Sequence, residues 1–388
     1  CTAGIFGRRP LAAMAATLGS TMGWKPAVAA TAAAALGGAA LLTWSMSRAK
    51  ALEVAPARMR RVVLVEANKD IQKARLEVQE VDTPKPRSGQ VLVKVAAAPI
   101  NPSDDGIWKV PPRQGYPVPI GNEGSGTVIA TGGGLVASRL LGKKVAVLGQ
   151  TYAEYMVMDA MRAFTLPRDL PVEDGCAFFV NPFTVVGIVE TVKEQGEKVF
   201  IHTAASSQLG QMLVKYCKAE GVTLVNLVRR KEQVDVLRKL GAEHVICTSD
   251  EDWQSQLGQS IRDLKIRLAF DCIAGNMPGD LLTLLPPGSA VYVYGRLSNE
   301  PVGHVQPLDL IYRGKKLQGF LLTNWLLKGS MLEQLRRSIR TWRLVCKHLK
   351  GIFGSEFRDT SLSGMHADYC ALAATGVTGA KMRVRPHS

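Results

Sequence analysis

The 388-residue sequence has no acidic residue before Glu53, no C-x-x-C cysteine pair and only six scattered histidines. Each absence excludes something. Seven cysteines, at 1, 176, 217, 247, 272, 346 and 370, give no sign of a disulfide framework in a chain of this length. Contexts such as LVKYCK around Cys217 and AFDCIAG around Cys272 read instead as buried, inert thiols. No internal repeat is evident. With 46% hydrophobic and 21% charged residues, the chain is not a mainly disordered one. Its length fits two domains of about 100–200 residues each.

Charge is the first positive feature. Lys and Arg number 48 against 33 Asp and Glu, a formal net charge of +15. Much of the excess is local. Arg8, Arg9, Lys25, Arg48, Lys50, Arg58, Arg60 and Arg61 face Glu53 alone in the first 61 positions. This uneven distribution argues against a general nucleic-acid surface, and no nucleic-acid motif accompanies it.

Between Lys25 and Arg48 lie 22 uncharged residues, PAVAATAAAALGGAALLTWSMS. About 20 residues span a bilayer. Gly37-Gly38 and the alanines permit close helix approach, and Trp44 sits near one end, as an interfacial aromatic does. Residues 26–47 are expected to form a transmembrane helix, within an N-terminal segment 1–57. The more basic flank after it places the larger part on the matrix or cytoplasmic side. The Arg-bearing, acid-free composition also fits an organelle targeting segment, and the alanines fit a structureless tail.

From Arg60 the pattern becomes that of a folded chain. RRVVLVEA and QVLVKVAAAPI read as strands separated by the turn-rich TPKPRSG, and strands continue through GSGTVIATGGG, KKVAVLG and YAEYMVM. FTVVGIVETVKEQG is then helical. KVFIHTA is a continuous apolar strand, SSQLGQMLVKYCKAEG a helix, VTLVNLV a strand and KEQVDVLRKLG a helix. HVICTS, LAFDCIA and AVYVYG follow as strands. This alternation implies βαβ units and a parallel sheet. One long helix is expected from Ser330 to His348, and AKMRVRP ends the chain as a strand.

NPSD at 101–104, GNEGSG at 121–126, NPFTVVG at 181–187, HTAASSQLGQM at 202–212 and LGAEHVI at 240–246 occur in this order. Together they resemble the medium-chain dehydrogenase/reductase superfamily in its zinc-free branch, which includes quinone oxidoreductases and mitochondrial trans-2-enoyl-CoA reductases. The resemblance covers about residues 60–386. It implies an α/β fold with a GroES-like domain at 58–182 and 327–388. A Rossmann doubly wound parallel sheet at 183–326 would bind nucleotide, with the active site in the cleft between the two. Zinc-dependent relatives carry Gly-His-Glu and a four-cysteine lobe. Here Asn122 stands in the place of that histidine and no cysteine quartet exists, so no zinc is expected. Glu123 reads as a buried structural carboxylate.

The family's phosphate loop, A-x-x-G-x-x-G, reads here from Ala204 to Gly210, and only the final glycine remains. Ser206 and Ser207 can donate hydroxyl bonds in place of the lost glycine at 207. Arg229, nineteen residues after Gly210, and Arg230 suit a 2′-phosphate, so the implied cofactor is NADPH. A Rossmann domain that no longer binds nucleotide is the alternative. YGRLS resembles the loop near the nicotinamide, with Tyr294 and Gly295 as candidate contacts and Arg296 where a small residue is common. DLIYRGKKLQGF resembles the stretch closing over the cofactor. Enoyl reductases of the family use a tyrosine eight residues after the Asp of NPSD, but that position is Pro112. Tyr116 and Asn101 are the remaining candidates for polarising an acceptor.

SMLEQLRRSIRTWRLVCKHLKG is expected to be a basic amphipathic helix. Arg336, Arg340, Arg343 and Lys347 line one face, and Leu332, Leu335, Ile339, Trp342 and Cys346 another. Its region, 336–350, could meet anionic lipid or an acidic protein. Two functions follow from these expectations. One is a membrane-anchored NADPH-dependent enoyl-CoA or quinone reductase with weakened catalysis. The other is a non-catalytic accessory subunit of a respiratory complex in the mitochondrial inner membrane, its globular part facing the matrix.

Overall fold

Nine strands build the first part of the computed structural model, which describes residues 50–375 and 380–388. They are β1 (Lys50–Ala51), β2 (Arg58–Glu66), β3 (Arg75–Asp82), β4 (Gln90–Pro99), β5 (Val118–Pro119), β6 (Glu123–Thr131), β7 (Lys144–Leu148), β8 (Tyr155–Asp159) and β9 (Phe164–Thr165). The expected span at 26–47 lies outside the described residues. Among those described, no helix is long and apolar enough to cross a membrane.

β4 and β6 pair antiparallel at the heart of an eight-stranded sheet, with β7 and β8 on their outer sides. Alternation along β4 buries Val91, Val93 and Val95 completely against Val128, Val145 and Val147. The sequence reading missed β3. It is the exposed edge of a small β3-β2-β5 sheet, so ARLEVQEVD never needs a continuous apolar face.

The second part is a six-stranded parallel sheet of β10 (Val199–His202), β11 (Thr223–Val228), β12 (His244–Cys247), β13 (Leu268–Asp271), β14 (Ala290–Val293) and β15 (Lys316–Gly319). Its order, β12-β11-β10-β13-β14-β15, is the doubly wound arrangement with the reversal between β10 and β13. β10 and β13 are buried at every position, as their unbroken apolar runs require. The chain then returns through β16 (Phe357–Thr360) and β17 (Lys381–Val384). β17 pairs antiparallel with β4, Val384 opposite Ala98, so the last strand joins the first large sheet.

Helix Val180–Glu194 straddles the expected boundary near 182 and is buried from Asn181 through Val189, an all-round burial that amphipathic helices lack. Its first turn meets Phe164, Phe178 and Phe179, with Phe179 and Phe183 ring centroids 4.6 Å apart. One core runs from Leu166 and Leu170 through this helix to Phe200, Leu213 and Phe270.

The long helix spans Met331–His348, with Ser330 and Glu333 forming a capping box at its start. Its buried face differs from the expected apolar stripe. Thr341 and Val345 point inward, with Gln334 and Ser338 on the same side bonded to backbone carbonyls. Trp342 and Cys346 pack beside Thr165, but Leu332 stays exposed, and Leu335 and Ile339 are only half-buried. The helix docks through Thr341 and Val345 with Trp342, Leu344 and Cys346 packed against the same core, so only part of the expected stripe is buried.

Candidate nucleotide crevice and interdomain cleft

The chain leaves β10 and β13 toward opposite sides of the sheet, so the loops after them frame a crevice at their carboxyl ends. After β10, Ala204 takes a left-handed φ of 47° and the chain turns into helix Gln208–Glu220. Ser207 is the N-cap, its hydroxyl oxygen accepting the Gly210 N–H at 3.1 Å. Its φ of −63° is one that any residue adopts, so the missing glycine does not distort the loop. Gly210 is different. A Cβ there would fall 2.2 Å from the Ala205 carbonyl oxygen, so only glycine lets the first helical turn press on the loop. Ser206 is buried, its carbonyl accepting from the Gln211 amide at 2.9 Å. The Ala205 N–H donates to Leu227 O at 3.0 Å and stitches the loop to β11.

Arg229 and Arg230 follow β11 directly. The Gln233 side-chain oxygen accepts both their backbone N–H groups, each at 3.1 Å, and fixes the turn while the Arg229 side chain stays exposed. The helix N-terminus and the arginines therefore belong to neighbouring strand ends. Tyr294 and Gly295 lie at the end of β14. A Cβ at Gly295 would come within 2.8 Å of Cys272, so the β13 and β14 loops are in direct backbone contact.

Sequence reasoning missed the groups beneath this crevice. Thr203 Oγ1 donates to Asp271 Oδ1 at 2.7 Å and bridges β10 to β13 across the reversal. The other Asp271 oxygen accepts the Ile273 and Ala274 N–H groups at 3.1 and 2.7 Å. Burial raises the Asp271 pKa against these bonds. His202 Nε2 and the Tyr294 hydroxyl lie 2.6 Å apart, with their rings stacked. Burial pushes the His202 pKa down to about 3 and holds the tyrosine well above its usual value. A lone carboxylate ending the apolar strand LAFD was the available signal.

The first part of the molecule has its own polar centre. Asn101 donates through Nδ2 to Glu123 Oε1 at 3.0 Å and accepts through Oδ1 from Lys381 at 2.7 Å. Glu123 Oε2 accepts the Phe179 and Val180 N–H groups at 3.0 and 2.9 Å, at the start of helix Val180–Glu194. Asp104 accepts the Asn101 N–H at 2.9 Å, and burial raises its pKa to about 7. Burial also lowers the Lys381 pKa. Asn122, 4% exposed, donates to Ser103 Oγ at 3.0 Å. Among the described residues, no three His, Cys, Asp or Glu side chains converge as a metal site would require.

The two catalytic candidates do not come together. Asn101 is 1% exposed and bonded at both ends of its amide, so it positions its neighbours. The Tyr116 oxygen accepts the Ala67 N–H at 2.7 Å beyond the end of β2. Across the cleft, Arg296 donates to Gly106 O at 2.8 Å, and Lys109 donates to Asn299 at 3.2 Å. Both bonds link helix Pro102–Trp108 to the loop after β14.

This two-part architecture agrees with known families. A model described as alcohol dehydrogenase GroES-like domain matches residues 87–168, and one described as zinc-binding dehydrogenase matches 209–338. The chain belongs to the medium-chain dehydrogenase/reductase superfamily, in its zinc-free branch. It is 32% identical over 265 residues to the mitochondrial enoyl-[acyl-carrier-protein] reductase of Xenopus tropicalis, covering 64% of this chain and 74% of the relative. An inferred NADPH:quinone reductase from Mesorhizobium loti superposes with a TM-score of 0.76 at 29% identity, over 86% of this chain and 100% of that one. The Escherichia coli quinone oxidoreductase, solved with NADPH, shares the fold at 19% identity and a TM-score of 0.70, over 84% of this chain and 100% of that one. The chain thus resembles NADPH-dependent enoyl-thioester and quinone reductases.

Proposed function

We propose that this protein is a mitochondrial NADPH-dependent reductase of a conjugated carbonyl acceptor, an enoyl thioester or a quinone. The observation that carries the reading is the pairing of a capped, glycine-pressed helix N-terminus with two arginines at the next strand end. The residues present fit the cofactor. The start of helix Gln208–Glu220, with Ser206 and Ser207, suits a pyrophosphate, because helix N-termini favour anions. Arg229 and Arg230 suit a 2′-phosphate through charge-assisted bonds, where an NAD site would want a carboxylate. Tyr294 and Gly295 border the same crevice. When bound, NADPH supplies the hydride.

The remaining chemistry is charge stabilisation on the acceptor oxygen and proton delivery. Asn101 is engaged at both ends of its amide, whereas Tyr116 only accepts, so its phenol proton is free to be donated. Ser103 is exposed, and its oxygen already accepts from Asn122, so its hydroxyl proton is free to be donated. Thr203 and Asp271 keep the crevice at its width. The test is fluorescence titration of the full chain with NADPH and NADH, followed by turnover assays with a crotonyl thioester and a quinone. NADPH should bind at least about tenfold more tightly than NADH, as charge-assisted bonds predict. Failure of NADPH to bind overturns the reading.

A non-catalytic accessory subunit of a mitochondrial inner-membrane complex is the second reading, and the loss of the phosphate-loop glycine at 207 and of the family tyrosine at 112 is what suggests it. Binding without turnover of either acceptor, together with co-migration with a membrane complex in mild detergent, would select it.

A further inference from the structure

The geometry points to the outer face of helix Met331–His348 as a docking surface for an anionic lipid bilayer. Arg336, Arg340, Arg343 and Lys347 are all exposed, diametrically opposite the buried Thr341 and Val345. They form a straight stripe about 16 Å long. Arg340 also pairs with Glu190. Among the described residues, no carboxylate lies within ion-pair distance of Arg336, Arg343 or Lys347. Arg337 belongs to the other side, donating to Lys328 O at 2.7 Å and lying over the Trp325 ring.

Charge alone would suit any polyanion. The flank beside the stripe makes the choice. Met331 is 64% exposed and Leu332 54%, and half-buried Leu335 and Ile339 continue the same edge. Trp342, Leu344 and Val345 pack into the core, whereas Met331 and Leu332 are left facing water at the start of the helix. A convex edge with cations along one side and aliphatic side chains along the other matches the interfacial plane of a membrane. There the cations meet headgroup phosphates while the aliphatic groups enter the acyl boundary. An acidic protein would satisfy the cations and leave the aliphatic flank wet.

The test reads the helix itself, so insertion by any other segment does not interfere. The full-length chain is treated with phenylglyoxal, and modification of Arg336 and Arg343 is followed by mass spectrometry. Vesicles of phosphatidylcholine alone are compared with vesicles that also contain phosphatidylglycerol. Anionic vesicles should protect both arginines roughly fivefold or more, neutral ones should not, and high salt should abolish the protection. The variant Leu332→Ser should weaken the vesicle effect about tenfold, as loss of one buried leucine implies, with unchanged circular dichroism. Equal protection by neutral vesicles, no protection by anionic ones, or persistence in high salt would overturn the proposal. So would poly-glutamate that protects as well as anionic vesicles and is indifferent to Leu332→Ser, which would assign the face to an acidic protein. None of these outcomes depends on whether NADPH binds.

Discussion

The two polar centres of this molecule are opposites. Around Glu123 the hydrogen-bonding capacity is spent inside the protein. Asn101, itself held by Lys381, and the start of helix Val180–Glu194 hold that carboxylate from two sides. Around β10 the supporting groups are equally buried, but they lie beneath a helix end and beside a strand end at which Arg229 is exposed. The first region is a fastening and the second is a socket. A polar residue matching a family motif can therefore belong to either, and only its bonding partners say which.

The largest effect should come from unfastening the first centre. Glu123→Ala removes the acceptor of two helix N–H groups and of the Asn101 amide, and leaves Lys381 buried with less compensation. It should cost about 3–5 kcal/mol of stability in urea unfolding. A cost below about 1 kcal/mol would break the contrast.

The pH dependence should run in opposite senses at the two centres. Folded Asp104 keeps its proton up to about pH 7, whereas the unfolded carboxyl releases it near its ordinary value of 3.8. Across that window the native state binds more protons, so this group's contribution to stability falls as pH rises. Folded His202 stays neutral down to about pH 3, whereas the unfolded imidazole protonates near its ordinary value of 6.5. Its contribution is present above that value and is lost as pH falls. Asp104→Asn and His202→Gln should therefore change the stability–pH slope between about pH 4 and 6.5 with opposite signs, each by about 1.4 kcal/mol per pH unit, on the order of 3 kcal/mol across the window. Chemical denaturation at several pH values checks this, and slopes of the same sign would refute it.

A smaller effect sharpens the socket. Arg229→Ala should weaken NADPH about tenfold and leave NADH within about twofold, with stability unchanged, since the Arg229 side chain is exposed. Smallest is the cap. Ser207→Ala should cost about 1 kcal/mol, and Ser207→Gly only a few tenths. Thermal unfolding distinguishes the two.

Much of this architecture was legible in the sequence. The apolar runs that became β10, β11, β13 and β14 stand out because a parallel sheet buries both faces, and the Ser207 and Ser330 caps mark their helices. The turn after β10 and the Arg229–Arg230 strand end could be placed in the fold because their positions are local to one motif. The fastening was not found. Lys381 lies 280 residues from Asn101, and nothing local in AKMRVRP says that its lysine is buried. Asn101 looked reactive for the same reason, since a motif names a residue but not its partners. The long helix misled through its own composition. Of its apolar stripe, Trp342 and Cys346 reach the core, while Leu332 at the other end stays exposed.

The phenylalanine cluster at the root of helix Val180–Glu194 bears on how the two parts can move. Packed rings leave no room to slide without opening a void. Glu123 holds the helix end in place beside them. At the opposite extreme, the parts touch through single polar bonds, Arg296 to Gly106 and Lys109 to Asn299. The molecule is thus a clamp whose jaws share a seized root and meet at a releasable tip. Parting the two at the tip would break only these two bonds, whereas parting them at the root would have to open packed rings.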